Sequence, residues 1–194
     1  MKKYILSLAI VFSSLSMMAQ EGMFGLTYSM GLPMGSTSDY ISKFSGRGFG
    51  IEGRGFVNDH LSFGGSFTWN VFYEEKTNET FTQDNRTVTS DQFRYINAYP
   101  INFLTHYYFG EYDAPARFNV GIGIGTIPVN RRTEVSIIAI EHDYWHFSVA
   151  PEVGVIVPFN YNTNLLVSVR YNYAAEAKGE AYSYLSFNVG IAWY

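Results

Sequence analysis

The sequence predicts an all-β protein: an eight-stranded antiparallel up-and-down transmembrane β-barrel that follows a cleaved signal peptide. Three observations predict it. Apolar side chains recur at every second position through most of the chain, the period of a strand with one apolar face. The opposite face is built from Gly, Ser, Asn and Ala rather than Lys and Glu, which suits a packed lumen and not a solvated face. The first residues read as an export signal. Composition agrees: of 194 residues, 18% are aromatic and only 15% charged, at a net charge of −4. That balance excludes a disordered chain and offers no basic patch for nucleic acid. No cysteine occurs, which excludes a disulfide scaffold, a thiol nucleophile, a zinc–thiolate site and a lipidated cysteine.

Residues 1–19 form the expected leader. Lys2 and Lys3 precede an apolar stretch from Tyr4 to Phe12, and a Ser-rich run leads to Ala19, after which cleavage is expected. The stretch Tyr4–Ala19 is too short for a membrane anchor, which needs about 20 residues. The barrel domain is then 20–194. Its first strand has the apolar face Phe24, Leu26, Tyr28, Met30 and Leu32. Phe49, Ile51 and Val57 mark the second, with Glu52 and Arg54 on the other face. The third runs from Leu61 to Tyr73, with Leu61, Phe63, Phe67, Trp69, Val71 and Tyr73 on one parity. Tyr95, Tyr99, Ile101 and Phe103 mark the fourth, where Pro100 predicts an irregularity because proline has no ladder donor. The fifth is Phe118–Ile124, the sixth Trp145–Val157, the seventh Leu165–Tyr173, and the eighth Leu185–Trp193.

Connections are expected to alternate in length. Residues 33–46, 74–91, 128–143 and 174–181 read as long polar loops, and 58–60, 110–115 and 160–163 as short turns. Outer-membrane barrels show this asymmetry, with the long loops outside the cell. A soluble barrel would carry Lys and Glu along its outer face. Here no lysine falls in the middle of a predicted strand, and only Glu52 and Glu152 among the acids lie deep in one.

These features together resemble the eight-stranded outer-membrane β-barrel family, the OmpA/OmpX-like proteins of Gram-negative bacteria. The ending Leu185-Ser-Phe-Asn-Val-Gly-Ile-Ala-Trp-Tyr194 is similar to that family's C-terminal assembly signal, and Tyr99–Tyr108 and Asn119–Gly125 are similar to its middle strands. The resemblance implies that Leu185, Phe187, Val189, Gly190, Ile191, Trp193 and Tyr194 are read by the barrel-assembly machinery. It implies a monomer in the outer membrane, in contact with its lipids including lipopolysaccharide.

The deepest charges are Glu52, Arg54, Glu152 and Arg170, all on the lumen face. Glu152 and Arg170 lie equally far from Tyr161, so a turn there makes them cross-strand neighbours. Strand two faces strand six across an eight-stranded ring, which brings Glu52 and Arg54 to the same level. Two acids and two bases then balance where an unpaired charge is costly. The expected role is a structural ion-pair network that plugs the lumen; the alternative is a gate for a narrow small-solute channel.

Other chemistry is weaker. His146-Phe-Ser148 resembles the pair in barrel-embedded lipid A deacylases, but there the site faces lipid, a face taken here by Trp145 and Phe147. His142 and His146 are about 13 Å apart at strand rise, too far to share a metal. Gly121-Ile-Gly-Ile-Gly125 lacks the helix of a nucleotide fingerprint. No catalytic residue, metal or cofactor is expected. The role expected is structural or adhesive, through loops such as 74–91 with Phe81 at its centre, on a possible extracellular ligand.

Overall fold

The computed structural model describes residues 21–194 except 84–85, 112–113 and 136–137, and for 21, 78–83, 86–90 and 138 the backbone alone. The expected leader 1–19 lies outside the described residues, as does the side chain of Phe81. In order, the elements are β1 (Glu21–Met34), α1 (Gly35–Tyr40), β2 (Gly48–Asn58), β3 (Leu61–Gln83), β4 (Arg86–Ala98), β5 (Ile101–Tyr108), β6 (Arg117–Val135), β7 (Ile138–Asn160), β8 (Thr163–Ala177) and β9 (Glu180–Trp193).

All neighbouring pairs are antiparallel, and β9 returns to pair with β1 from Phe24↔Trp193 to Met34↔Ser183, which closes the ring. Nine segments make eight staves, because the fourth is split into β4 and β5 at Tyr99-Pro100. Proline cannot donate to the ladder. The gap is bridged nonetheless: the Thr68 N–H donates to the Pro100 carbonyl at 3.0 Å, and the Tyr99 N–H to the Pro128 carbonyl at 2.9 Å.

Closure sends alternate side chains to opposite environments. Phe24, Leu26, Tyr28, Phe67, Trp69, Ile122, Ile124, Trp145, Phe147, Val189 and Ile191 are exposed on the outer wall. Such a belt of large apolar groups would be a liability in water and is the required surface in hydrocarbon. Trp69 stacks on Tyr99 at 6.3 Å between ring centroids, part of the aromatic rim toward one end.

Three sequence expectations are corrected. Apart from 84–85 and 136–137, which lie outside the described residues, residues 74–91 and 128–143 are not loops but strand: β3 and β7 each run for 23 residues, where about ten suffice to cross hydrocarbon. Residues 174–181 hold a two-residue turn, with Lys178 and Gly179 both at positive φ (54° and 84°) and Ala177 paired with Glu180. Consequently Glu74, Lys76, Glu134, Glu141 and Asp143 also lie within strands. The lumen, finally, is small-residue only in part. Its upper end is filled by Ile41, Phe72, Ile96, Ile127, Val129, Tyr182 and Tyr184, and its lower end by Met23, Phe56, Tyr108, Ile156 and Leu166. A narrow barrel has to fill its interior with side chains, and small residues alone would leave voids.

Candidate functional site

Four charged side chains meet at mid-height in the lumen. Glu52 and Arg54 project from β2, Glu152 from β7 and Arg170 from β8; each is at most 5% exposed. Glu152 is directly opposite Arg170 in the ladder. The Arg170 Nε donates to Glu152 Oε2, and its Nη2 to Glu52 Oε2 at 3.4 Å. Arg54 reaches across the lumen, donating from Nη2 to Glu152 Oε1 at 3.3 Å and from Nη1 to the Tyr108 hydroxyl at 2.9 Å. Its Nη2 also lies 2.8 Å from Glu52 Oε1, a charge contact outside hydrogen-bond geometry, since that oxygen accepts no hydrogen bond among the described residues. Each acid therefore faces both bases. Formal charge cancels, which is the condition for keeping ions at this depth.

A fifth residue joins them. His106 on β5 is buried, with Nε2 3.4 Å from Glu152 Oε1. Neither ring nitrogen makes a hydrogen bond among the described residues. Gly121 on the facing strand makes room for the ring: a Cβ there would lie 2.7 Å from His106 Nε2 and 2.9 Å from the Thr105 carbonyl oxygen. His106 did not emerge from the sequence. Extending the outward parity of Ile101 and Phe103 would have placed Asn102, Leu104, His106 and Tyr108 inside.

Apolar layers close the lumen above and below this cluster. Segment 35–46 folds inward over the upper layer. Ile41 is fully buried there, the Ser183 N–H donates to Thr37 Oγ1 at 2.8 Å, and the Ser42 N–H to Glu74 Oε2 at 2.6 Å. The Tyr40 ring sits under Arg131, 3.9 Å from guanidinium carbon to centroid, and 5.1 Å from Arg94. Arg131 pairs with Glu180 at 2.6 Å. Burial pulls the Arg131 pKa down, but the Tyr40 hydroxyl and Glu180 outweigh it and hold the group above its ordinary range. Residues 33–46 are thus a fastened lid rather than a solvated loop.

The remaining candidates are not brought together. His146 and Ser148 both face the lumen; the Ser148 hydroxyl donates to Asn102 Oδ1 at 2.7 Å, and His146 Nδ1 contacts the Ala175 carbonyl at 2.8 Å. No pair of the nucleophile–base kind exists between them. His142 lies against Tyr144, and among the described residues no three metal-ligating side chains converge. Gly121, Gly123 and Gly125 lie within β6. At the C-terminus, Val189, Ile191 and Trp193 face outward from β9, while Gly190 is pressed against β1, where a Cβ would lie 2.7 Å from the Thr27 Cα.

At the upper end the wall is uneven. The β3–β4 and β6–β7 hairpins rise together, joined along β4 and β6 from Ala98↔Val129 to Gln92↔Val135. Pairing of β7 with β8 stops at Ser148↔Ala174. Among the described residues Ile138–Phe147 has no ladder partner on β8, and His146 alone reaches it through its side chain, at the Ala175 carbonyl.

A closed antiparallel ring with an apolar outer belt and a charge-neutral, filled interior defines an integral outer-membrane β-barrel protein. The chain belongs to the family described as outer membrane protein beta-barrel domain, whose model matches residues 5–194. Its place is the outer membrane of a Gram-negative bacterium. Among solved structures it is similar to Neisserial surface protein A, at 15% identity and a TM-score of 0.59 over 89% of this chain and 96% of that one. It is also similar to Ail, the attachment invasion locus protein of Yersinia pestis (13%, TM-score 0.52, 89% and 95%). The N-terminal β-barrel domain of Pseudomonas aeruginosa OprF matches at 12%, TM-score 0.51, over 89% and 100%. A search of curated protein sequences finds no match.

Proposed function

We propose that this protein is a surface-binding barrel: a closed, rigid stake in the outer membrane that presents the β3–β4–β6–β7 sheet to an extracellular partner. One observation carries the reading. The wall rises on one side only, by roughly a dozen residues per strand, or about 40 Å of strand beyond what spanning requires, above a lumen that offers nothing to pass. Binding residues usually reside on such projections from a rigid scaffold, and an uncovered strand edge can pair with an extended segment of another chain. Ail, which shares the fold, is named for attachment and invasion and has been crystallised with the heparin analogue sucrose octasulfate; both fit a barrel that binds through its outer face.

In this reading the Glu52–Arg54–Glu152–Arg170 cluster is a static plug between two apolar layers, not a gate, and the chain is not an enzyme. Export by residues 1–19, insertion through the C-terminal strand, and life as a monomer among outer-membrane lipids belong to the same reading. The test replaces residues 77–90 by an Asn-Gly turn in the full chain displayed on cells. Heat-resistant gel mobility checks that the barrel survives. Adhesion to immobilised extracellular-matrix proteins and glycosaminoglycans should fall to background, while a planar bilayer holding the wild type stays electrically silent. Unchanged adhesion, or steady conductance of the wild type altered by Arg170→Ala, overturns the reading.

A further inference from the structure

The two-residue connections 59–60 and 161–162 mark the lower end of the barrel as the periplasmic one. The lumen mouth at that end is not sealed flat. Between the start of β6, the β7–β8 turn and Tyr194 lies a cleft of about 670 Å³, within the roughly 300–1,000 Å³ of small-molecule sites. Register explains which side chains reach it. Arg117 is paired with Ile156, and Asn164 with Pro158. Arg117, Ile156 and Asn164 turn toward the barrel axis and are at most 3% exposed. The β7–β8 pairing shifts between Pro158 and Asn160, as expected beside a residue with no ladder donor. The turn then carries Asn160 and Tyr161 past the barrel end, where both are exposed.

Three groups of different chemistry form the base of the cleft. The Arg117 guanidinium is fixed by the Asp59 carbonyl, which accepts from its Nη2, and by the rings of Tyr108 and Phe56, whose centroids lie 4.8 and 5.6 Å from its carbon. Asn164 supplies a carboxamide, its Nδ2 donating to the Ala192 carbonyl at 3.5 Å. Ile156, opposite Arg117 in the ladder, supplies an apolar spot. The walls are Tyr194, whose ring lies 5.7 Å from that of Phe56, and the turn residues Asn160 and Tyr161. The Asn160 Oδ1 accepts from the Tyr161 N–H at 2.9 Å, which orients the Asn160 amide and leaves its NH₂ for a ligand. Asp59 and Glu111 stand at the same end of the barrel, so a ligand with net negative charge is opposed.

A guanidinium donates to a carbonyl, a carboxamide oxygen accepts from an N–H, and an isoleucine packs on a methyl. Those are the three parts of an acetamido group. The tyrosine rings around the base offer flat apolar faces with a polar tip, which suit the C–H face and hydroxyls of a sugar ring. We propose that this cleft binds an uncharged N-acetylated saccharide in the periplasm, with its acetamido group on Arg117, Asn164 and Ile156 and its ring between Tyr161 and Tyr194. The inference is independent of what the projecting sheet binds outside the cell.

The test is saturation-transfer NMR on the full chain in phospholipid nanodiscs, titrated with N,N′-diacetylchitobiose. The acetyl methyl protons should carry the strongest transfer, and the signal should saturate at millimolar sugar. Cellobiose, which has hydroxyls in place of the acetamido groups, should bind on the order of tenfold more weakly, because the polar base is left without its partners. Asn160→Ala/Tyr161→Ala changes only exposed turn residues, so heat-resistant gel mobility should be kept while affinity falls on the order of tenfold. Trp145→Ala, an exposed ring at the opposite end, should bind as wild type. Co-sedimentation with peptide-free cell-wall glycan would place the sugar in the wall polymer, and disaccharide binding without it in the soluble pool; either upholds the acetamido site. The proposal is overturned by transfer that does not saturate, by equal affinity for cellobiose, or by a folded double variant that binds as wild type. An equal loss in Trp145→Ala would mean nonspecific contact with exposed rings and overturns it as well.

Discussion

Removing Arg170 tests whether the lumen cluster is a charge-balanced unit. Arg170→Met keeps much of the stem but deletes the guanidinium that reaches Glu152, Glu52 and, at 3.3 Å, the Ser66 hydroxyl. Glu52, Glu152 and Arg54 remain, a net negative charge in a site that is at most 5% exposed. Breaking a buried pair from one side costs about 3–5 kcal/mol, because the surviving charge loses its partner and stays desolvated. Glu152→Gln should cost a similar amount with the opposite sign of excess charge. The double variant restores neutrality and leaves Glu52 beside Arg54 at 2.8 Å, so it should cost no more than either single change. The two effects would then fail to add by about 3 kcal/mol or more. Urea unfolding and refolding in lipid vesicles, followed by tryptophan emission and gel mobility, measures all four species. Additive costs, or a single-variant loss below about 1 kcal/mol, would refute the reasoning and mean that each charge is solvated on its own.

Three further outcomes are expected in the same unfolding assay. Gly121→Ala puts a methyl into the ring of His106 and against the Thr105 carbonyl, which should cost about 1–3 kcal/mol by overpacking. Ile41→Ala empties a fully buried position beneath the lid, for a loss of about 2–5 kcal/mol, and limited proteolysis should then cut within residues 35–46 before any other site. His106→Leu removes two buried nitrogens that make no hydrogen bond among the described residues, so stability should stay within about 1 kcal/mol of wild type; a larger loss would show that its contact with Glu152 matters.

The fold was legible where the two faces of a strand meet different surroundings. Between lipid and lumen the alternation is strict, as in Leu61–Tyr73 and Leu185–Trp193, and those segments lie within β3 and β9. Above the membrane both faces of a hairpin meet water, so the hydropathy period vanishes although the ladder continues. That is why Glu74–Gln83 and Arg131–Val135 read as loop while pairing as strand. The upper lumen hid for the opposite reason: Phe72 and Ile96 lie beside outward Val71, Tyr73 and Tyr95, so both parities are apolar and no contrast marks which points in. Residues 33–46 carry no period at all, and Ile41 could be placed only by the docking of the segment around it.

The charged cluster shows what counting can reach. A turn near Tyr161 is enough to set Glu152 against Arg170, since a tight turn fixes register and register fixes every pair below it. Ring size then brings strand two within reach of the predicted strand six, because opposite walls of an eight-stranded barrel are one long side chain apart. His106 needed one more step. Charge balance alone does not require it, and a lone histidine in an aromatic run carries no pattern of its own; its position follows only from parity across the Pro100 break. The same reasoning gives the lumen its meaning. A conducting barrel would keep polar groups in file from mouth to mouth, whereas here the ionic level lies between Ile41, Phe72 and Tyr184 above and Phe56, Ile156 and Leu166 below. Rearranging the ion pairs would open nothing without also moving two apolar layers and a lid, and this supports the proposal that the barrel acts through its outer surfaces.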